Sequence, residues 1–204
     1  MVELKKDYKI GKRRFGKINW IGFYTLYKKE TLRFLIVFGQ TVLGPVVTAF
    51  LFLLVISLAI GPNKGSVLGV PFIEFLAPGL IAMQVVQQSF SHTSSSILMG
   101  KMMGNIVDVV GSPLSAIEIT TSLILAATTR ALTISLLSII AFSFFIEIKI
   151  LSYSYFFIYL FLTSFILASA GLIAGLWADK FDHMSTVTNF FIVPLSFLSG
   201  TFYS

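Results

Sequence analysis

Residues 34–60 read FLIVFGQTVLGPVVTAFLFLLVISLAI, and they sit in a longer stretch, from Arg33 to Lys64, with no charged residue between its ends. A helix of about 30 residues rises roughly 45 Å, against a hydrocarbon thickness of about 30 Å, so the stretch is long enough to cross a bilayer. The pattern recurs. Charge-free runs separate Glu74 from Lys101, Arg130 from Glu147 and Lys149 from Asp179, and another extends from His183 to Ser204. One such run would anchor a domain, whereas five make a body that lives in lipid.

Composition agrees. The chain is 56% hydrophobic with a mean hydropathy of +0.90, and Phe alone supplies 21 of its 204 residues, against about 45–50% apolar in a soluble domain. Five spans leave only short connections, so any water-soluble machinery belongs to another polypeptide. The net charge is +6, and of the 15 basic residues ten lie in the first 33: Lys5, Lys6, Lys9, Lys12, Arg13, Arg14, Lys17, Lys28, Lys29 and Arg33. Such a cluster ahead of a first span holds the N-terminus in the cytoplasm, with Lys101 and Lys180 inside and Lys64 and Lys149 outside. A basic tail beside a span meets anionic headgroups more readily than nucleic acid. With no cysteine there is neither a disulfide framework nor a thiolate site, and the first apolar run is too long and too late for a cleavable signal.

The fold class expected is all-α: a polytopic membrane protein with an N-terminal interfacial helix and five transmembrane helices. Residues 1–33 form a basic cytoplasmic tail and an elbow helix over 18–31, with Trp20, Phe23, Tyr24 and Tyr27 opposed by Asn19, Thr25, Lys28 and Lys29. The alternative is a set of belt aromatics on an irregular lead-in. Residues 34–204 form one transmembrane domain with spans near 34–60 (kinked at Gly44-Pro45), from Phe72 inward, 117–145, 151–178 and from Thr186 outward. A cytoplasmic segment near 100–116 interrupts it, broken by Gly104, Gly111 and Pro113, and residues 179–185 form an internal turn.

Enzymatic constellations are thin. Residues 11–17, GKRRFGK, have P-loop glycine and lysine spacing, but Ile18 stands where the Mg²⁺-binding hydroxyl belongs and no strand precedes them. Two histidines, His92 and His183, cannot build a multi-histidine metal site within one chain. Gln84, Gln87, Gln88, Ser91 and Ser95 make the second span unusually polar, and polar groups at membrane depth face protein or water. They read either as interhelical glue or as the lining of a substrate path. Arg130, roughly 18 Å into its span, either pairs with carbonyls or an acid or grips an anionic headgroup in transit. Gly171 and Gly175 form a small-xxx-small packing face. The mostly apolar stretch 104–113 is too short to span, and is either a knob seeking a protein cleft or a helix flat on the membrane.

Taken together, residues 75–83 (FLAPGLIAM), the Gln/Ser-rich helix after them, 104–115 (GNIVDVVGSPLS) and 194–203 (PLSFLSGTFY) resemble the permease subunit of ABC transporters of the second type, the class of polysaccharide, lipo-oligosaccharide and drug exporters. Residues 20–34 resemble its elbow helix, with Lys29-Glu30 and Arg33-Phe34 in place. That resemblance implies an ATP-driven exporter of an amphiphile, glycan, glycolipid or drug in the bacterial cytoplasmic membrane, with no enzymatic activity of its own. ATP and Mg²⁺ would bind a separate cytoplasmic ATPase subunit, this chain would hold no cofactor or metal, and a second permease copy would complete the unit. Asn105, Ile106, Asp108, Val109, Val110, Ser112 and Pro113 would form the coupling segment, with Ile106, Val109 and Val110 filling the ATPase groove. Gln84, Gln87, Gln88, Ser91 and Arg130 are the candidates for the substrate path. The family's sixth span lies beyond Ser204, so the chain is expected to be truncated. The main alternative is an ion-coupled secondary transporter, which would normally carry intramembrane carboxylates; an intramembrane transferase or hydrolase lacks a visible nucleophile and base.

Overall fold

The computed structural model describes residues 18–60, 66–67, 70–146 and 152–199. Lys5 to Lys17, with the P-loop-like 11–17, and Lys64, Glu147, Lys149 and residues 201–203 lie outside them.

Eight helices are present among the described residues: α1 (Trp20–Ile36), α2 (Gly44–Ile60), α3 (Phe72–Met102), α4 (Ile106–Val110), α5 (Ala116–Ser143), α6 (Tyr153–Trp177), α7 (Phe181–Val187) and α8 (Val193–Phe197). Two π-helical turns, Gly39–Leu43 and Thr188–Ile192, lead into α2 and α8. A two-residue antiparallel ribbon, β1 (Ser66–Val67) with β2 (Val70–Pro71), precedes α3. Among the described residues, three helical stretches are both long and apolar enough to cross a membrane: Gly39–Ala59, Ala116–Ser143 and Tyr153–Trp177. At 31 residues α3 has the length as well, but its polar inner half removes it from a hydropathy count.

Several expected boundaries move. The elbow helix runs to Ile36 rather than to Thr31, because its buried stripe Leu26, Glu30 and Phe34 recurs every four residues and carries the helix on. Just ahead of Gly44-Pro45, where a kink is expected, the helix widens into a π turn. Residues 179–185 are not all turn: α7 starts at Phe181, so only Ala178, Asp179 and Lys180 separate it from α6.

The post of the bundle is α3, which packs against α2, α5, α6 and α8. Near one end, Ala49 and Leu53 of α2 meet Leu76, Ala77 and Leu80 of α3 and Phe142 of α5. Near the other, Ile97 of α3 packs with Leu123 and Ala127 of α5 and Ala168 and Leu172 of α6. The outward faces of α2 and α6, among them Val47, Leu51, Val55, Phe157, Phe161 and Ile166, are exposed, as lipid-facing positions are when nothing but hydrocarbon surrounds them. Where α6 crosses α3 the backbones nearly touch. A Cβ on Gly175 would lie 2.9 Å from the Ser94 carbonyl oxygen, and one on Gly171 would fall on the Phe90 carbonyl and the Thr93 hydroxyl.

Candidate functional site

The five residues of α4 are set off by glycines. Gly104 has φ +78°, a left-handed conformation that a side chain resists, and Gly111 closes the helix by donating to the Val107 carbonyl at 2.8 Å. Ile106 and Val109, three apart, share one side. Ile106 turns back against Gly100 and the Ile97–Leu123–Leu172 cluster, and Val109 is half-buried. The residues that stand out are Val107 and Val110, 69% and 68% exposed, with Asp108. Of Ile106, Val109 and Val110, only Val110 is exposed, because in so short a helix the first apolar residue is drawn into the core above it, and Val107 stands out beside Val110. Asn105 precedes α4 without a side-chain cap. Ser112 donates to the Val109 carbonyl at 2.6 Å, and the Pro113 carbonyl accepts from Asn19 Nδ2 at 3.3 Å, so these two hold the segment in shape.

The exit from α4 is bolted to the elbow helix. Ser115 and Glu118 form a capping box at the start of α5, and the second Glu118 oxygen accepts the Asn19 backbone N–H at 2.6 Å. Gly22 lets α1 seat on Leu114, since a Cβ there would come within 2.7 Å of that side chain. Further along, Ser122 Oγ reaches the Phe23 carbonyl at 3.3 Å, and the Tyr27 and Thr129 hydroxyls share a hydrogen bond of 2.8 Å. Phe23 and Tyr27 thus turn toward the bundle while Trp20 and Tyr24 stay exposed, so the aromatic face expected from the sequence is split between protein and interface.

At the far end of α1, Glu30 is 4% exposed. It accepts from Arg33 Nε at 3.0 Å and Ser96 Oγ at 2.8 Å, while Arg33 Nη2 donates to the His92 carbonyl at 3.2 Å. His92 lies beneath, its ring edge-on to Phe34 and its Nε2 3.9 Å from Glu30.

Along α3 the polar side chains fan out rather than form one stripe. Gln88 accepts from Arg130 Nη2 at 2.6 Å. Gln87 donates to Ser196 Oγ of α8 at 2.8 Å. Gln84 is buried with Oε1 unpartnered among the described residues, and Ser91 is exposed. Arg130, 9% exposed, also donates Nε and Nη2 to the Thr41 carbonyl at 3.3 and 3.0 Å. Pro45, four residues on, has no N–H to offer that carbonyl. No described carboxylate lies within ion-pair distance of Arg130. Its partners are a carbonyl and an amide. Charge-assisted bonds of this kind contribute about 1.5–3 kcal/mol each, enough to hold a guanidinium at membrane depth.

Comparison with known proteins decides the family, since the profile of the ABC-2 type transporter matches residues 22–204. The chain belongs to that family. The inner membrane transport permease YadH of Escherichia coli K12 is 30% identical over 185 residues, which cover 91% of this chain and 72% of the relative; YadH of Shigella flexneri matches to the same extent. No solved structure matches. This chain is therefore a membrane permease of an ABC transporter, an all-α polytopic transport subunit whose resemblance was legible from residues 75–83 and 104–115. What the sequence did not show is the elbow bolt through Glu118, Asn19 and Gly22, although Ser115-x-x-Glu118 carried the signature of a capped helix start.

Proposed function

We propose that the permease exports an amphiphile, glycan, glycolipid or drug across the bacterial cytoplasmic membrane, driven by an ATPase subunit that seats on α4 and alone binds ATP and Mg²⁺. The observation that carries this reading is α4 itself, a helix presenting Val107 and Val110 to the outside at the membrane end where Lys101 and Lys180 place the cytoplasm. Two valines on a glycine-delimited helix suit a groove in a soluble partner, and Asp108 beside them suits a basic rim. The bolt from Glu118 to Asn19 then carries movement of α4 into α1 as well as α5. A second permease copy completes the unit, and the unpartnered Gln84 amide oxygen and the exposed Ser91 hydroxyl supply polar contacts along the path, as a buried acceptor without a partner calls for water or a ligand. Ion-coupled transport needs a carboxylate free to take up a proton or cation. Of the two acids buried among the described residues, Glu118 is held in the capping box and at Asn19, and Glu30 is held by Arg33 and Ser96.

Affinity capture of the tagged permease from its own cells tests the docking. Val107→Glu with Val110→Glu is expected to lose a P-loop ATPase that the native chain recovers, with permease abundance unchanged, as is deletion of residues 105–111. Equal recovery from both variants overturns the docking surface. Uptake of a fluorescent glycolipid or dye into inverted vesicles that persists when the proton gradient is collapsed and ATP is clamped supports the ATP-driven reading; uptake that follows the gradient alone overturns it.

A further inference from the structure

Each of the two π-helical turns among the described residues is separated from a proline by a single residue. Gly44 donates to the Gly39 carbonyl and is followed by Pro45; Val193 donates to the Thr188 carbonyl and is followed by Pro194. The cause is local. A proline ring clashes with the carbonyl four residues back, and a widened turn relieves that clash while Gly44 and Val193, the residues before the two prolines, keep helical dihedrals. Such turns are rare in helices and concentrate at functional positions. What is specific to this chain is where the two are held. Adjacent residues of the central post reach out to different neighbours: Gln88, through Arg130, to the Thr41 carbonyl inside the first π turn, and Gln87 to Ser196, two residues past Pro194. Ser199 Oγ adds a bond to the Gly79 carbonyl of α3 at 3.1 Å.

We propose that the two proline-terminated π turns are paired hinges at which the segments flanking α3 bend during transport, and that Arg130, Gln88 and Gln87 are positioning residues that latch them to the post. The inference rests on the family assignment and not on the ATPase docking or the direction of transport. Arg130 then acts through the Thr41 carbonyl instead of on cargo. Pro45→Ala supplies that carbonyl with the missing N–H and stiffens the first hinge; Pro194→Ala does the same for the second. Loss of the latch has the opposite effect.

Because the chain has no cysteine, spin labels report cleanly. One pair, Leu35→Cys with Val55→Cys, straddles the first hinge, and another, Phe181→Cys with Leu198→Cys, straddles the second; all four positions are exposed. Distances are measured on the full chain in nanodiscs of phosphatidylethanolamine and phosphatidylglycerol, without nucleotide, so the outcome is independent of any ATPase. A broad distribution is expected across each hinge in the native chain, narrowing to one peak in Pro45→Ala and Pro194→Ala at the respective pair. Arg130→Gln is expected to broaden the first further, and Arg130→Gln with Pro45→Ala to narrow it again. Should Arg130→Gln fail to accumulate, Gln88→Ala serves for the same broadening. Distributions identical in the native chain and both alanine variants overturn the hinges, and a double variant as broad as Arg130→Gln overturns the latch.

Discussion

Gly171 and Gly175 are where α6 and α3 meet at backbone distance, and the two positions differ in how much a methyl group would disturb. At Gly171 it would strike a carbonyl group and a hydroxyl of α3, neither of which can retreat without breaking the helix or the 2.7 Å bond from Thr93 to the Ala168 carbonyl. At Gly175 the nearest atoms stand at 2.9–3.1 Å and must give by a few tenths of an ångström. Gly171→Ala is therefore expected to cost about 1–3 kcal/mol and Gly175→Ala less, measured as the loss of the folded peak on heating in detergent. Equal tolerance of both would mean the helices separate freely. Spacing alone made this pair visible, because small residues four apart in an apolar run have one common use. Arg130 was half legible: its depth demanded a partner, but the partner is a backbone carbonyl that Pro45 leaves without its helical donor, and side-chain patterns do not display carbonyls.

At the scale of elements, the ends of helices decide more than their middles. Glu118 is 5% exposed and accepts from the Asn19 and Ser115 backbone N–H groups and from Ser115 Oγ, at a helix N-terminus where negative charge is favoured. Glu118→Gln keeps the shape but gives up one acceptor oxygen and the charge. It is expected to cost about 1–2 kcal/mol and to raise hydrogen exchange at Asn19 while leaving the middle of α5 protected. At the same end of the bundle Lys101 closes α6, donating to the Leu176 and Ala178 carbonyls at 2.9 and 2.7 Å and to Asp179 at 3.0 Å. That hydrogen bond first, and the lysine's charge second, hold the Asp179 carboxyl below its ordinary 3.8. A lowered carboxylate stabilises the fold above its unfolded pKa and ceases to as pH falls through the folded one. Asp179→Asn is thus expected to lower the melting temperature slightly at pH 7 and not at all once the native carboxylate is protonated, with Lys101→Met costing more at both because the two carbonyls lose their donor. The elbow's true end and the early start of α7 escaped the sequence for a related reason: both are fixed by what lies across the bundle, Phe34 against Val42, Val46 and Ile134 in one case and Met184 against Phe90 and Leu98 in the other.

For the whole molecule, the apolar runs announced the architecture because lipid demands length and leaves few alternatives to helix. α3 shows the limit of that logic. As the post it is surrounded by other helices, buries Ser89, His92, Thr93 and Ser94 along with Leu76 and Leu98, and so tolerates a polarity that no lipid-facing helix would. Orientation is a prediction from charge instead: ten basic residues ahead of the first span are expected to hold that end inside, and with it the loop that carries α4. Single cysteines in the cysteine-free chain test this. Met103→Cys, 65% exposed next to α4, should react with a membrane-impermeant maleimide only in inverted vesicles, and Phe144→Cys, 80% exposed at the opposite end of α5, only in intact cells stripped of their outer membrane. The two sites lie at opposite ends of helices that run antiparallel, so their labelling must be reciprocal in any folded permease. Reciprocity with the sides exchanged would refute the charge argument while leaving the bundle intact. Labelling of both from one side would refute the bundle, because α5 would then not cross.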